Sequence, residues 1–290
     1  MLVKSMAMAA PEAVFRDKSA IVTGGASGIG RALAERLGSW GASVTIADMQ
    51  GPLAEEVAAG IRANGGKAEA AILDITDVAA TDALYRSVAA ATGCLDYAFN
   101  NAGIWMMGDA DKFPLADWDR LIDVNLKGTI NCTRAAYAIM LRQGSGHIIN
   151  TASVAGLTAD PGCTAYAATK HAIVGLSKSL RVEAERRGVK VTALCPGVVA
   201  TPLLESGGKF GKVLDRVDPE QMRQMWKRMR PMPVDAFARR ALRDVARNKA
   251  VIVWPMGGKL FWLVDRISCT QAGRTALGMY IANQRLLGLE

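Results

Sequence analysis

Only two histidines, His147 and His171, occur in the 290 residues. Neither has ligand-like partners close by, so a zinc centre is not expected and no metal site is assigned. Cysteine is sparse and odd in number: Cys94, Cys132, Cys163, Cys195 and Cys269 are widely spaced, mostly in apolar context. That pattern argues against a disulfide framework and for free thiols in a reducing compartment, the cytoplasm. No apolar run reaches the roughly 18 residues a membrane span needs. No Pro- or Ser-rich linker divides the chain and no solenoid-type repeat recurs, which leaves one domain. The first ten residues hold a short Ala-Met-Ala-Ala stretch behind Lys4 and Ser5, too short for a signal peptide, so residues 1–14 are expected as a disordered leader. Acidic residues are the minority, and the net charge is +8. Residues 201–260 carry thirteen Lys or Arg against six Asp or Glu, so +7 of that excess lies in one segment. With no motif or aromatic interleaving around it, the segment reads as a solvated face or a lid near an anionic ligand. A nucleic-acid partner is not expected.

What is present is alternation. Strand-like runs at 19–23, 42–48, 68–74, 95–100, 147–153, 189–195 and 250–254 alternate with helical patterns. The helices fall at 31–40, 53–63, 78–91, 117–141, 164–187 and 235–247. Strands that alternate with helices imply an α/β fold: one Rossmann-type, doubly wound parallel sheet of about seven strands with helices on both faces. The main domain is bounded at 15–256, with a loop or lid at 201–233 and a C-terminal helical extension at 257–290.

Between the first strand and the first helix stands Thr23-Gly24-Gly25-Ala26-Ser27-Gly28-Ile29-Gly30. Glycine at 24, 28 and 30 lets backbone N–H groups approach a pyrophosphate, whose charge a helix N-terminus favours. Asp48 closes the second strand, where a carboxylate either accepts both hydroxyls of an adenosine ribose or starts a turn. Its neighbours Ala47, Met49 and Gln50 bring no cation for a 2′-phosphate, which favours NAD over NADP. Asp74 either caps a turn or meets an adenine amine. Asn100-Asn101-Ala102-Gly103 ends the fourth strand in small residues that let backbone pass close to a ribose.

Tyr166 and Lys170 share one helix face, being four residues apart, and no other tyrosine has lysine at that spacing. A phenol needs about 4 kcal/mol of help to act as a base near neutral pH. A cation roughly 4 Å away at an effective dielectric of about 20 supplies that much. Ser153 ends the fifth strand, at the sheet edge where such folds bind ligands. Asn125 sits mid-helix, where asparagine is a poor helix former, which suggests a task such as holding a water.

Together these motifs resemble the short-chain dehydrogenase/reductase family over roughly residues 15–254. The glycine turn matches its T-G-x-x-x-G-I-G, residues 100–103 its N-N-A-G, and Tyr166 with Lys170 its Y-x-x-x-K. The resemblance implies a hydride-transfer enzyme acting on a secondary alcohol or ketone. Tyr166 would be general acid/base, Ser153 substrate orienter, Lys170 ribose anchor and pKa modulator, and Asn125 part of a water-linked relay to Lys170. It places Ser27, Ile29, Asp74, Ile75, Asn101, Ala102, Val199 and Thr201 beside the cofactor with the glycines, Gly103 included. It also implies a homodimer or homotetramer built on the helices at 117–141 and 164–187. Two other functions remain open: an NADPH-dependent carbonyl reductase, and a catalytically silent dinucleotide sensor.

Two regions depart from the family pattern. Met222, Met225, Trp226 and Met229 fall on one helical face, which reads either as core or as a lid over a bulky apolar or aromatic substrate. In the tail, the run Leu260-Phe261-Trp262-Leu263-Val264 is expected to pack on the pocket or on another subunit, with membrane contact ranked last.

Overall fold

A computed structural model of the chain describes residues 10–204, 211–213 and 217–289. Seven strands make the central sheet: β1 Ser19–Thr23, β2 Ser43–Asp48, β3 Lys67–Ile72, β4 Tyr97–Asn100, β5 Gly146–Thr151, β6 Val189–Pro196 and β7 Val251–Trp254. All pair in parallel, in the order β7-β6-β5-β4-β1-β2-β3. The order reverses between β1 and β4, so a crevice opens beyond their carboxyl ends.

Alternation along β1 divides the core. Ala20 and Val22 face α2 (Gly28–Ser39), α3 (Gly51–Ala63) and α9 (Val234–Ala246), through Leu33, Leu37, Val57, Phe237 and Leu242. Ile21 faces the opposite layer, where Tyr85 and Val88 of α4 (Val78–Thr92) meet Cys132, Ala136 and Met140 of α6 (Thr129–Gln143). The helix expected at 117–141 is α5 (Leu115–Leu121) and α6 joined by a π-helical stretch, Ile122–Gly128. Such widened turns recur at functional sites, and Asn125 sits in this one. The helix expected at 164–187 is α7, Thr164–Glu185.

The leader needs a correction. Residues 1–9 lie outside the described residues, but Pro11–Phe15 forms a helical turn, α1, with proline at its start. The Phe15 ring, fully buried, lies 4.9 Å from Tyr97 and 5.7 Å from Trp40. An aromatic anchor therefore orders residues that composition alone assigned to a free end.

In the lid region, residues 205–210 and 214–216 lie outside the described residues. The helix α8 (Pro219–Arg228) buries Met222 and Met225 against Leu286, Leu287 and Leu289 at the end of the chain. Met222 and Met225 are thus core between lid and tail and do not wall the crevice, while Met229 at the end of the stripe is exposed. The tail folds as α10 (Met256–Ile267) and α11 (Cys269–Leu286). Among the described residues no helix is long and apolar enough to cross a membrane.

Candidate active site

β1 delivers the chain into the glycine turn at the sheet's carboxyl edge. Gly24 and Gly28 take φ of +64° and +54°, a backbone region that side chains disfavour. A Cβ on Gly30 would lie 2.0 Å from the Gly24 carbonyl oxygen, so α2 can start this close to the turn only without one. Thr23 binds the next loop to it: its hydroxyl accepts from the amides of Asn101 and Ala102 at 3.0 and 3.2 Å. Asn101 Nδ2 donates back to the Thr23 carbonyl at 3.2 Å.

Asp48 is almost fully buried at the tip of β2. Oδ2 accepts from Ala26 N and Oδ1 from Gln50 N, both at 3.0 Å. It therefore braces the glycine turn, as a strand-end aspartate can, and keeps further lone pairs for hydroxyl donors. Asp74 Oδ1 accepts from the Thr76 amide and hydroxyl at 2.9 and 2.8 Å, so the turn role is filled. Asn131 Nδ2 donates to the Ile75 carbonyl at 3.0 Å.

Asn125 is fully buried, and its amide clamps one residue. Oδ1 accepts from Ile104 N at 2.8 Å, while Nδ2 donates to Ile104 O at 2.9 Å and to Thr169 Oγ1 at 3.3 Å. With both amide hydrogens engaged, this side chain braces the loop after β4, and its Oδ1 keeps a lone pair beyond the Ile104 bond. A Cβ on Gly103 would lie 3.0 Å from Asn125 Oδ1 and 3.6 Å from Lys170 Nζ, which puts loop, brace and lysine together. Lys170 Nζ donates to the Thr151 carbonyl at 3.0 Å and stands 5.4 Å from the Tyr166 ring centre. Ser153 Oγ accepts from Ala155 N at 3.1 Å.

One cleft of about 1450 Å³ joins both halves. Gly24, Ser27, Gly28, Ile29, Asp48, Asp74, Ile75, Asn101, Ala102 and Gly103 line it, as do Ser153, Tyr166, Lys170, Val199 and Thr201. Of the residues expected at the site only Gly30 and Asn125 stand behind the wall. Thr151 was not anticipated: its carbonyl holds Lys170, and its buried hydroxyl lacks a partner among the described residues. Its place two residues before Ser153 on one strand face was a usable signal. A volume this large, a glycine cradle that a single Cβ would fill, and an unpaired hydroxyl in the wall all fit a dinucleotide.

Residues 18–210 match the family model described as short chain dehydrogenase. The chain belongs to that family. This dehydrogenase is 34% identical to the levodione reductase of Leifsonia aquatica over 221 residues, 75% of this chain and 80% of the relative. A crystal structure of levodione reductase superposes with a TM-score of 0.75 at 31% identity, over 84% of this chain and 98% of that one. A short-chain dehydrogenase/reductase from Burkholderia phymatum in complex with NAD gives 0.74 at 30% identity, over 82% and 89% of the two chains. NAD⁺-bound xylitol dehydrogenase gives 0.73 at 26% identity, over 83% and 98%. The protein is accordingly an NAD(P)-dependent oxidoreductase acting on CH–OH groups.

The electrostatics of the dehydrogenase's tyrosine differ from the local reading. Burial pushes the Tyr166 phenol well above its ordinary value; the Ser153 hydroxyl opposes this, and Asp160 and Cys163 add to it. Burial also lowers the Lys170 ammonium to about 8. A neighbouring lysine therefore does not by itself make this phenol acidic. Desolvation sets the direction, while the ammonium stands 5.4 Å off the ring centre and is held by a backbone carbonyl.

Proposed function

We propose that this dehydrogenase moves a hydride between NAD and a secondary alcohol or ketone with a bulky apolar or aromatic body, using Tyr166 as the proton carrier. The observation that carries the reading is the single cleft, with the glycine turn and Asp48 at one end and Ser153, Tyr166 and Lys170 at the other. NAD supplies the hydride acceptor and, when oxidised, a positive charge beside the phenol.

The chain's own groups do the rest. Gly24, Gly28 and the start of α2 seat a pyrophosphate at a helix N-terminus. Asp48 accepts ribose hydroxyls with its remaining lone pairs and repels a 2′-phosphate, and its sequence neighbours Met49 and Gln50 offer that phosphate no cation. Ser153 holds the substrate oxygen, and Lys170, fixed by Thr151, reaches the nicotinamide ribose. In oxidation the Tyr166 oxygen accepts the hydroxyl proton as the carbinol carbon gives up its hydride; reduction is the reverse. Because burial keeps the phenol protonated, the resting enzyme holds the acid that reduction requires. Ile104, Leu203 and Leu204 in the lining support an apolar substrate body. A homodimer or homotetramer built on α5–α6 and α7, as the family resemblance implies, belongs to the same reading.

The test combines fluorescence titration with NADH and NADPH and turnover assays over steroids, aromatic carbinols, sugars and hydroxyacyl thioesters. NADH should bind at least tenfold tighter than NADPH, and Asp48→Ala should shrink that ratio. Tyr166→Phe should abolish turnover while binding NADH within about threefold of the parent. Full turnover in that variant, or tighter NADPH binding by the parent, would overturn the reading.

A further inference from the structure

Helix α10 has no buried residue. Met256, Leu260, Leu263 and Ile267 follow one another at spacings of four, three and four, which puts them in one narrow stripe. They are 54%, 64%, 44% and 88% exposed. The other side of the helix is the one that meets the domain. Gly258 lies against Val154 and Val253, and Trp262 packs on the cluster holding Ile173 and Val174. The stripe therefore points away from the protein, and none of its members lines the cleft. A single exposed aliphatic residue needs no explanation; four in line on one helix do.

The charges beside the stripe select its occupant. Lys259 and Arg266, both exposed, border it on one flank, and the Arg266 guanidinium lies 5.5 Å from the Trp262 ring centre. The helix's one carboxylate, Asp265, lies on the opposite side and is half-buried. A second copy packed stripe to stripe would gather Lys259 and Arg266 from both helices along a seam to which α10 brings no carboxylate. An anionic bilayer meets the same groups favourably, apolar side chains below the headgroups and cations among them.

We propose that α10 docks this enzyme on an anionic lipid bilayer, the Met256–Leu260–Leu263–Ile267 stripe entering the acyl boundary and Lys259 and Arg266 contacting the headgroups. This reverses the order expected from sequence, where the apolar run was assigned to a pocket or subunit contact. Each basic residue at such a surface strengthens binding roughly fivefold, and the attraction falls with salt.

Sedimentation of the full-length protein with phosphatidylcholine vesicles, with and without phosphatidylserine, tests the assignment. Binding is expected to the phosphatidylserine vesicles, weaker at high salt. It should drop by more than tenfold in the double variant Leu260→Glu/Leu263→Glu, which should bind NADH as the parent does because neither residue reaches the cleft. The double variant Lys259→Glu/Arg266→Glu should lose at least tenfold without any apolar change. The proposal fails if the parent does not sediment with phosphatidylserine vesicles, or if the leucine variant sediments equally well. It also fails if light scattering finds that variant in a smaller assembly than the parent, which would make the stripe a contact between copies.

Discussion

Lys170 offers the sharpest physical test of the site. Its ammonium is buried, and the unfolded chain would hold the proton to about 10.5 whereas the folded protein releases it near 8. Between those values the unfolded state binds more protons, so stability must rise with pH there. Below pH 8 both states are protonated, and the lysine's contribution is constant and unfavourable. Each pH unit is worth about 1.4 kcal/mol, so Lys170 weakens the fold by about 3 kcal/mol at neutral pH relative to its neutral form. The perturbation is Lys170→Met, which keeps the stem and removes the charge. It also removes the bond to the Thr151 carbonyl, whose loss costs about 1.5–3 kcal/mol. At pH 7 the two effects nearly cancel, so the difference between the proteins at one pH decides nothing. Its slope does. Urea unfolding at pH 7, 8, 9 and 10 should find wild type gaining on the variant by roughly 1.4 kcal/mol per unit above pH 8. Tyr85, Tyr97 and Tyr166, all held protonated by burial, are common to both proteins and drop out of the difference. A flat or falling difference would refute the claim that a desolvated charge is stored at this position.

Gly30→Ala should abolish NADH binding and lower the melting temperature, because the new Cβ would lie 2.0 Å from the Gly24 carbonyl oxygen; normal titration by NADH would contradict the cradle. Asn125→Ala leaves the buried amide and carbonyl of Ile104 unpaired, so it should destabilise by roughly 2–5 kcal/mol in denaturant unfolding. Met225→Ala should cost roughly 2–4 kcal/mol in the same assay and leave the KM for small and large substrates changed by a similar factor, since Met225 packs on Leu287 and not on the cleft. In ultraviolet difference spectra of wild type against Tyr166→Phe, the Tyr166 ionisation should lie above the ordinary tyrosine range without cofactor. It should move down when NAD⁺ but not NADH is added, and a tyrosinate signal at neutral pH in the free enzyme would contradict the burial argument.

The parts of the fold legible in sequence were those set by local pattern. β1 occupies residues 19–23 as read, and α7 begins at Thr164 as read, because a buried parallel strand is a continuous apolar run and a helix face repeats at fixed spacing. The glycine turn was legible because its three glycines answer steric demands that no other residue meets. The π-helical stretch at 122–128 was not, since a widened turn leaves the apolar spacing almost unchanged; the oddity of Asn125 was its only trace. The partner of the methionine stripe was not legible either. Periodicity says that Met222 and Met225 need a cover, but the cover is Leu286, Leu287 and Leu289, some sixty residues further along.

The same distinction separates the position of Tyr166 from its electrostatics. That Tyr166 and Lys170 are neighbours follows from four-residue spacing on one helix, a local fact. Whether the lysine makes the phenol acidic depends on how much water both have lost, a property of the whole fold. Burial strengthens any attraction between them, yet it penalises both charged forms, and here the second effect is larger for each group. The ammonium is then turned to the Thr151 carbonyl, the nearest acceptor that costs no second charge. In the proposed reaction, proton abstraction by a phenol that burial holds protonated would wait on the positive charge of the oxidised cofactor, whereas the acid needed for reduction would be present from the start.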